Sequence, residues 1–419
     1  MRQTLFTIDH SLFENHWILI GWLLLGLAYL GYQFFLGSKN EAVYFLPVFV
    51  IGAVLVHFVV PKLETLGVNA ADPNGPLVPD GLAIQGYGVC MLLAMVSGVG
   101  LCLYRCYQIG LDGDRFLSLT FWMIVIGIIG ARLFYVIQKF DNFAAVASKD
   151  LLFEMVNMTS GGLVVYGSLI GGVLAAVVFM WLNKMPWRTV IDVLAPGMVL
   201  GLAIGRIGCL MNGCCYGGVC EPSYPGIHFP AGSPPYVEQL TSGELLGIKG
   251  AFDEETYLVS VDSVEPDSLA ANEGIKAGDE VRIFLNHNDK GDVRLRAAKN
   301  GVDLTLDTVL DRKDESPIFI PVSGLPDRSL RAHPTQIYSA VNAALLCAFL
   351  WFYWPYRKRP GEVFALMCII YPVCRFVLEM IRTDEIGAFG TPFTVSQLVS
   401  FGLFTVGVTL FGYVRTRPE

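Results

Sequence analysis

The chain has 419 residues, of which 53% are hydrophobic and only 16% are charged. Soluble domains contain about 25% charged residues, so this composition indicates a polytopic membrane protein. The formal net charge of −8 is not accompanied by any basic block, and we therefore expect no nucleic acid among the partners.

Nine apolar segments are long enough, at about 20 residues each, to cross a bilayer as helices. They lie near residues 17–36, 42–60, 83–104, 118–138, 161–182, 190–211, 335–354, 362–381 and 393–414. The sequence therefore predicts an all-α polytopic membrane protein with about nine transmembrane helices. The first segment is preceded by little basic charge and is followed by no small-residue cleavage site, which argues against a signal peptide.

The basic residues predict how these segments are oriented. Loops after odd-numbered segments carry lysine and arginine, as at 183–189 and 355–361, whereas loops after even-numbered segments, such as 61–82, balance them with acidic residues. The positive-inside rule then places the N-terminus outside and the C-terminus in the cytoplasm.

One long stretch, residues 221–331, is polar throughout and forms, by the same topology, a head outside the membrane. Its first part, 221–249, is rich in Pro and Gly and predicts an irregular loop. Strand-like alternation of apolar and polar residues follows, at 257–261, 280–285 and 302–306.

Between the first two of these strands, the phrase Ser268-Leu269-Ala270-Ala271 is followed by Gly274-Ile275-Lys276-Ala277-Gly278-Asp279-Glu280-Val281. This pattern resembles a PDZ domain of the bacterial protease-associated type, over about residues 250–322. The resemblance implies an inserted α+β module that binds an extended peptide by adding a strand to its sheet edge. A rigid lid or spacer without a peptide ligand is the alternative.

Four arginines lie inside apolar segments, and in the predicted orientation they all collect toward the outer leaflet. They are Arg132, Arg206, Arg375 and Arg382. A single arginine at a helix end is explained by snorkelling to the headgroups. Four on three helices favour a site for an anionic headgroup, because guanidinium matches phosphate bidentately. Glu379 shares a helical face with Arg375 and Arg382 and can pair with either.

Two tyrosines flanked by glycine lie on the same side of the membrane. Tyr87 stands between two glycines, and Tyr166 follows Gly161 and Gly162. The glycines allow close approach of a helix or a lipid. A place in the aromatic belt is the alternative for each tyrosine.

Taken together, the motifs resemble the prolipoprotein diacylglyceryl transferase family over about 83–220 and 332–414, its seven-helix core. The matching motifs, in order, are Tyr87-Gly88, Gly130-Ala131-Arg132, Gly161-Gly162-Leu163-Val164-Val165-Tyr166-Gly167, Gly205-Arg206-Ile207-Gly208, Asn212-Gly213, His333-Pro334-Thr335-Gln336-Ile337-Tyr338 and Arg375-Phe376-x-x-Glu379-x-x-Arg382.

The resemblance implies transfer of a diacylglyceryl group from phosphatidylglycerol to the lipobox cysteine of a preprolipoprotein, at the outer face of the plasma membrane and without a cofactor. It implies catalytic roles for Tyr166, Arg206 and Arg375. Tyr166 stands where many members have histidine, and because a phenol is a poor base at neutral pH it acts as an activated base or positions the lipid. The implied substrate-binding residues are Tyr87, Arg132, Gly161, Gly162, Asn212, Gly217, His333, Gln336, Tyr338, Glu379 and Arg382.

The same comparison divides the chain. Residues 1–80 form an extra N-terminal transmembrane hairpin and loop, 81–220 and 332–419 form the two parts of the transferase core, and 221–331 form the extracytoplasmic head.

Several cysteines stand where the family shows polar residues. Cys209 and Cys214 replace an asparagine and an acidic residue, respectively. A disulfide from Cys220 to Cys214 or Cys215 is one interpretation. These three would need further ligands to hold a metal ion, and we therefore expect no metal site.

Two other functions are weighed against the transferase. An intramembrane protease would need a His-Glu-x-x-His or Gly-x-Ser-x-Gly motif, and neither is present with suitable partners. A non-catalytic lipid- or lipoprotein-binding paralogue would keep the arginines and lose the base, as the replacements at Tyr166, Cys209 and Cys214 allow.

Overall fold

A computed structural model describes residues 4–8, 16–35, 53, 65–67, 78–140, 155, 162, 164–221, 223–253, 258–286, 307–312, 318–320, 325–382, 391 and 393–416. The chain divides into two compact units. The first contains residues 1–89 and 208–336, and the second contains residues 90–207 and 337–419.

Helices make up most of the structure. In chain order they are α1 (Trp17–Phe35), α2 (Gly86–Ile109), α3 (Gly113–Gln138), α4 (Val165–Leu182), α5 (Trp187–Asn212), α6 (Pro234–Thr241), α7 (Leu269–Asn272), α8 (Thr335–Tyr353), α9 (Glu362–Glu379) and α10 (Val395–Thr416). Short 3-10 helices lie at Glu244–Leu246 and Trp354–Tyr356.

Six of the described helices are long and apolar enough to cross a membrane, which agrees with a multi-pass membrane protein. They are α2, α3, α4, α5, α8 and α10. Helix α9 matches the eighth predicted segment but carries three charged residues in 18. Helix α1 matches the first. Of the second predicted segment, 42–60, only residue 53 is described, so nine helices remain a prediction.

Several helix starts differ from the predicted ones, and α3, which was expected from near residue 118, begins at Gly113. The third segment was expected from residue 83, but residues up to 85 belong to a strand and α2 begins at Gly86. The fifth was expected from residue 161, whereas α4 begins at Val165. Gly162 precedes it with a φ of +82°, a left-handed conformation that is incompatible with a right-handed helix.

Glycines bring pairs of helices of the second unit into close contact. A Cβ added at Gly130 of α3 would lie 2.5 Å from the carbonyl oxygen of Gly167 on α4. A Cβ at Gly98 of α2 would lie 2.8 Å from the carbonyl oxygen of Gly197 on α5. Small residues at such crossings let membrane helices associate through backbone contact.

A buried carboxylate ties α5 to the start of α9. Asp192 is fully buried and accepts hydrogen bonds from Arg357 Nη1 at 2.9 Å, from the Gly361 amide at 2.7 Å and from the Phe364 amide at 2.9 Å. Three partners, one of them a cation, offset the cost of burying this charge. The network fixes the end of the second unit opposite to the arginine-rich helix ends of α5 and α9.

The first unit contains two antiparallel sheets. Their strands are β1 (Thr4–Ile8), β2 (Thr65–Gly67), β3 (Val78–Gln85), β4 (Ile248–Asp253), β5 (Leu258–Val264), β6 (Glu280–Asn286), β7 (Asp307–Arg312) and β8 (Ile318–Ile320). The small sheet has the order β1-β3-β2, and the head sheet follows chain order from β4 to β8.

The head agrees in part with the expected strand pattern. Two predicted strands, 257–261 and 280–285, correspond to β5 and β6, and the third, 302–306, lies outside the described residues. The predicted helical turn is α7, which Ser268 caps by accepting a hydrogen bond from the Ala271 amide. The identity of this module as a PDZ-like domain stays a prediction.

The expectation of an irregular loop over 221–249 is wrong. Two prolines occupy the first turn of α6, where the missing amide proton costs no hydrogen bond. Tyr236 and Leu240 of this helix are buried with Val259 and Ile283 of the head sheet. The prolines therefore start a helix that completes the core of the head.

Candidate active site

Two arginines of the second unit share one buried carboxylate. Glu379, at the end of α9, has a fully buried side chain. Its Oε2 lies 2.6 Å from Nη1 of Arg375 and 3.6 Å from Nη1 of Arg382. The spacing of four and three residues thus brings all three groups together, as expected from helix periodicity.

The start of α10 supplies hydroxyl partners to this group. Thr394 donates to Glu379 Oε1 at 3.2 Å, and Arg375 Nη2 donates to Ser396 Oγ at 3.1 Å. Thr394 also forms a reciprocal cap with Gln397, in which each side chain accepts the other residue's amide proton. Sequence reasoning missed these residues, although Thr-x-x-Gln before an apolar run is a recognisable capping signal.

Arg206, near the end of α5, adds a third guanidinium to the group. It lies close enough to Arg375 for the two positive charges to repel each other. Its Nε is buried and has no hydrogen-bond partner among the described residues. Arg206 and Arg375 therefore place two guanidinium groups side by side, and Arg375 shares Glu379 with Arg382. We call Arg206, Arg375 and Arg382 the arginine cluster. Such a cluster is suited to bind a dianionic or monoanionic phosphate group.

Arg132 has a different task in the second unit. It is buried, and it donates from Nε to the Met155 carbonyl at 2.9 Å and from Nη1 to the Gly162 carbonyl at 3.1 Å. The Val164 amide donates to the Ala131 carbonyl at 3.2 Å. Arg132 thus holds the chain that leads into α4 rather than joining the contacts of Glu379. Gly161, which precedes this contact, lies outside the described residues.

The three candidate tyrosines lie in the first turns of helices. Tyr166 is the second residue of α4 and is exposed, Tyr87 is the second residue of α2 and is exposed, and Tyr338 lies in the first turn of α8. Tyr166 and Tyr87 are exposed at the starts of their helices, where a phenol can present its hydroxyl to a lipid headgroup.

A tight turn in the first unit ends α5. Gly213 adopts a φ of +77°, and the amides of Gly213 and Cys214 both donate to the Cys209 carbonyl, at 2.9 and 3.1 Å. A left-handed glycine is a common helix stop, because it has no Cβ to clash. The turn folds the chain back over the last turn of α5 and so returns Cys214 to Cys209.

Two buried side chains from the start of α8 hold this turn. Gln336 Nε2 donates to the Cys214 carbonyl at 2.8 Å, and Thr335 Oγ1 donates to the Cys215 carbonyl at 2.6 Å. Gln336 is a candidate substrate-binding residue, and its side chain also positions the loop. Thr335 was not singled out from the sequence.

Three further candidates also lie around the turn. The Gly217 amide donates to the His333 carbonyl at 2.9 Å, and the His333 amide donates to the Gly218 carbonyl at 3.0 Å. The side chain of Asn212 contacts the Cys214 thiol. Gly217, His333 and Asn212 therefore shape the backbone that follows α5.

The cysteines are arranged differently from the expected set. The sulfurs of Cys209, Cys214 and Cys215 all lie within 4.8 Å of one another, whereas Cys220 lies against Gly226. All ten cysteines of the chain are described, and none of them forms a disulfide bond. Contact with Cys209 lowers the pKa of the Cys214 thiol, but contact with Cys215 and burial outweigh it, so the pKa is raised overall.

Comparisons with known proteins agree on one family. The family model described as prolipoprotein diacylglyceryl transferase matches residues 77–413. A phosphatidylglycerol–prolipoprotein diacylglyceryl transferase of Rhodopirellula baltica is 37% identical over 98% of this chain and 89% of its own length. Transferase 2 of Clostridium perfringens is 25% identical over 80% of this chain and 93% of its own length. The chain therefore belongs to the prolipoprotein diacylglyceryl transferase family.

Proposed function

We propose that this enzyme transfers a diacylglyceryl group from phosphatidylglycerol to the cysteine thiol of a prolipoprotein, and that Arg206 and Arg375 bind the lipid phosphate. The names of the relatives point to the reaction. The observation that carries the site assignment is the proximity of the Arg206 and Arg375 guanidinium groups, together with the buried Nε of Arg206, which has no hydrogen-bond partner among the described residues.

The reaction exchanges one bond for another at a glycerol carbon. The acceptor thiol loses its proton, and its sulfur forms a C–S bond to the carbon that carries the phosphate. The C–O bond breaks, and its electron pair leaves with glycerol phosphate. Because negative charge grows on the departing phosphate, fixed guanidinium groups stabilise the transition state more than the ground state.

The residues around the two phosphate-binding arginines, Arg206 and Arg375, have positioning roles. Glu379 and Arg382 hold Arg375 in place, and Arg132 holds the chain before α4. Tyr166 contacts the reacting end of the lipid through its hydroxyl, which is suited to donate a hydrogen bond. The remaining substrate-binding assignments are Tyr87, Gly161, Gly162, Asn212, Gly217, His333, Gln336 and Tyr338.

The reaction takes place at the outer face of the plasma membrane, with the N-terminus and the head outside and the C-terminus in the cytoplasm. The loop charges support this orientation through the positive-inside rule. The substrates are then a membrane lipid and a prolipoprotein that has crossed the membrane. The head is a PDZ-like module in this proposal, and it receives the flexible region that follows the lipobox cysteine.

A non-catalytic lipid-binding paralogue is the second candidate. It is favoured by the residues that replace family polar groups, namely Tyr166, Cys209 and Cys214. Such a protein would keep the arginine cluster as a phosphate site and would release no product.

Complementation separates the two candidates. In cells depleted of their own transferase, the chain is expected to restore lipoprotein lipidation, and Arg206→Ala or Arg375→Ala is expected to lower it by about 10²–10³-fold. Arg115→Ala is the matched control, because Arg115 is exposed on α3 and pairs only with nearby Asp112 among the described residues. An intact, membrane-inserted chain that lipidates no lipobox peptide would identify the paralogue.

A further inference from the structure

Three thiols converge at the end of α5, and the backbone that gathers them is well supported. Cys209 lies in the last turn of the helix, and the Gly213 turn returns Cys214 and Cys215 toward it. Thr335 and Gln336 hold the carbonyls of the two returning cysteines. The Cys214 sulfur also donates a long hydrogen bond of 3.8 Å to the Cys209 carbonyl. The supports of the loop are otherwise backbone carbonyls, so they fix where the cysteines lie.

The environment of these thiols differs from that of structural cysteines in a helix core. All three side chains are only partly buried, whereas Cys102, Cys106 and Cys368 are buried in the helix core. Cys215 has a φ of +58°, a conformation that is uncommon for residues with a Cβ. Strained backbone that persists on a supported loop points to a functional constraint.

The spacing of the sulfurs suits a soft cation. The three atoms lie within 4.8 Å of one another. With Zn–S bonds of about 2.3 Å in a tetrahedral site, sulfurs lie about 3.8 Å apart, so the thiols need to close by about 1 Å. Side-chain rotation of partly exposed cysteines supplies such a movement. Thiolates select zinc and copper(I) over hard cations such as magnesium and calcium.

We infer that Cys209, Cys214 and Cys215 bind one Zn²⁺ ion as thiolates and leave its fourth position for the acceptor thiol of the prolipoprotein. Binding releases one proton from each of the three cysteines, and the acceptor thiol releases its own proton to solvent when it becomes the fourth ligand. No electron is transferred. Three protein ligands with one open position are the usual arrangement of catalytic zinc.

This assignment rests on the proposed transfer reaction and supplies the thiolate that the reaction needs. The acceptor sulfur must be a thiolate to attack carbon, and a thiol bound to zinc is deprotonated outright. A zinc ion at these cysteines would therefore activate the acceptor thiol without a separate side-chain base.

Cobalt(II) is the probe for the metal, because it occupies zinc sites and absorbs light. The full-length protein, purified in detergent under reducing conditions, is titrated with Co²⁺. We expect one equivalent to bind with thiolate-to-cobalt charge-transfer absorption and the visible bands of a tetrahedral site. Excess Zn²⁺ should displace the cobalt and so remove both the charge-transfer absorption and the visible bands. Cys209→Ser, Cys214→Ser and Cys215→Ser should each weaken cobalt binding by on the order of 100-fold or more.

Cys220→Ser is the matched control, because Cys220 belongs to the same unit but lies against Gly226 instead of in the thiol group. It should bind cobalt as the unchanged chain does. Because a misfolded variant would also lose the absorption, elemental analysis of the unchanged chain after zinc loading gives a second measure, with one zinc per chain expected. No bound metal in the reduced, folded chain, or equal binding by all four serine variants, overturns the site.

A lipobox peptide tests the fourth position. Adding it to the cobalt-loaded protein should increase the charge-transfer absorption by about one third, since four thiolates then replace three. The same peptide with serine in place of cysteine should have no effect. A cobalt site that does not respond to the thiol overturns the acceptor assignment. These readouts need no lipid and no turnover, so they stand apart from any failure of the transfer reaction.

Discussion

Glu379 controls the charge balance of the arginine cluster. As a buried carboxylate it lowers the repulsion between Arg375 and Arg382, and through Thr394 it is anchored to the start of α10. Arg206 lies beside Arg375, and its buried Nε has no hydrogen-bond partner among the described residues, so an anion that enters the cluster meets an unused donor as well as positive charge.

The role of Tyr166 is tested by removing only its hydroxyl. Tyr166→Phe is expected to lower kcat/KM about tenfold, the effect of losing one hydrogen bond worth about 1.4 kcal/mol. The measurement is the initial rate of peptide lipidation. Tyr107→Phe is the control, because it alters a highly exposed phenol on α2, and it should leave kcat/KM unchanged. An unchanged kcat/KM in Tyr166→Phe would show that the hydroxyl makes no contact with the reacting lipid, and a loss of about 10³-fold or more would show that it takes part in the chemical step.

At this scale the sequence predicted contacts within one helix and missed contacts between elements. The spacing of Arg375, Glu379 and Arg382 is a local property, so periodicity alone brought them together. The hydroxyl of Ser396 reaches Arg375 from another helix, and no spacing rule relates the two. The sequence grouped Cys220 with Cys214 and Cys215, and this grouping was wrong for the same reason. The turn at Gly213 brings Cys209, and not Cys220, close to these two cysteines.

Among the elements, α3 and α4 depend on glycine for their contact. Gly130 and Gly171 both meet backbone atoms of the facing helix, and Arg132 follows two residues after the first of these. Gly130-Ala131-Arg132 therefore combines a close crossing with the arginine that secures the chain before α4. A family motif at this point has a packing role as well as a chemical one.

Gly167→Ala tests this crossing. The added methyl group would meet the Gly130 carbonyl and the Phe134 side chain, and we expect a loss of about 1–3 kcal/mol in stability with a matching fall in Tm. Gly172→Ala on the same helix is the control, because its nearest neighbour atom would be 3.6 Å away. Equal Tm values for the two variants would show that α3 and α4 do not depend on this contact.

The helices were largely predictable, whereas several of their ends and the head were not. Apolar length alone located the six long helices, because lipid exposure demands it. Hydrophobicity could not place the start of α2, since the residues before it are equally apolar but pair as strand β3. In the same way, Pro and Gly content predicted a loop where Pro234 starts α6.

At the scale of the whole molecule, the head has a core of its own, in which α6 packs with the head sheet. The ends of the head segment meet, because the Ala231 amide donates to the Asp327 carbonyl at 3.1 Å. The head can therefore be exchanged for a short linker without opening the chain that enters and leaves it. Composition predicted a membrane protein but not the division into two units.

Replacing residues 232–326 with a short Gly/Ser linker tests the role of the head. We expect a short lipobox peptide to be lipidated at the native rate and a full-length preprolipoprotein to be lipidated at least several-fold more slowly. Mass spectrometry of both substrates gives the two rates, and membrane insertion of the shortened chain is the control. Unchanged lipidation of every substrate would leave the head without a part in substrate reception.

Diacylglyceryl transfer by the purified protein is the most direct test of the proposed function. A lipobox peptide is incubated with the purified protein and vesicles containing phosphatidylglycerol, and the products are analysed by mass spectrometry. We predict a peptide whose cysteine carries one diacylglyceryl group in a thioether, together with one glycerol phosphate per modified peptide, and neither product with Arg375→Ala. Vesicles and peptide that remain unchanged in the presence of folded protein would contradict the account.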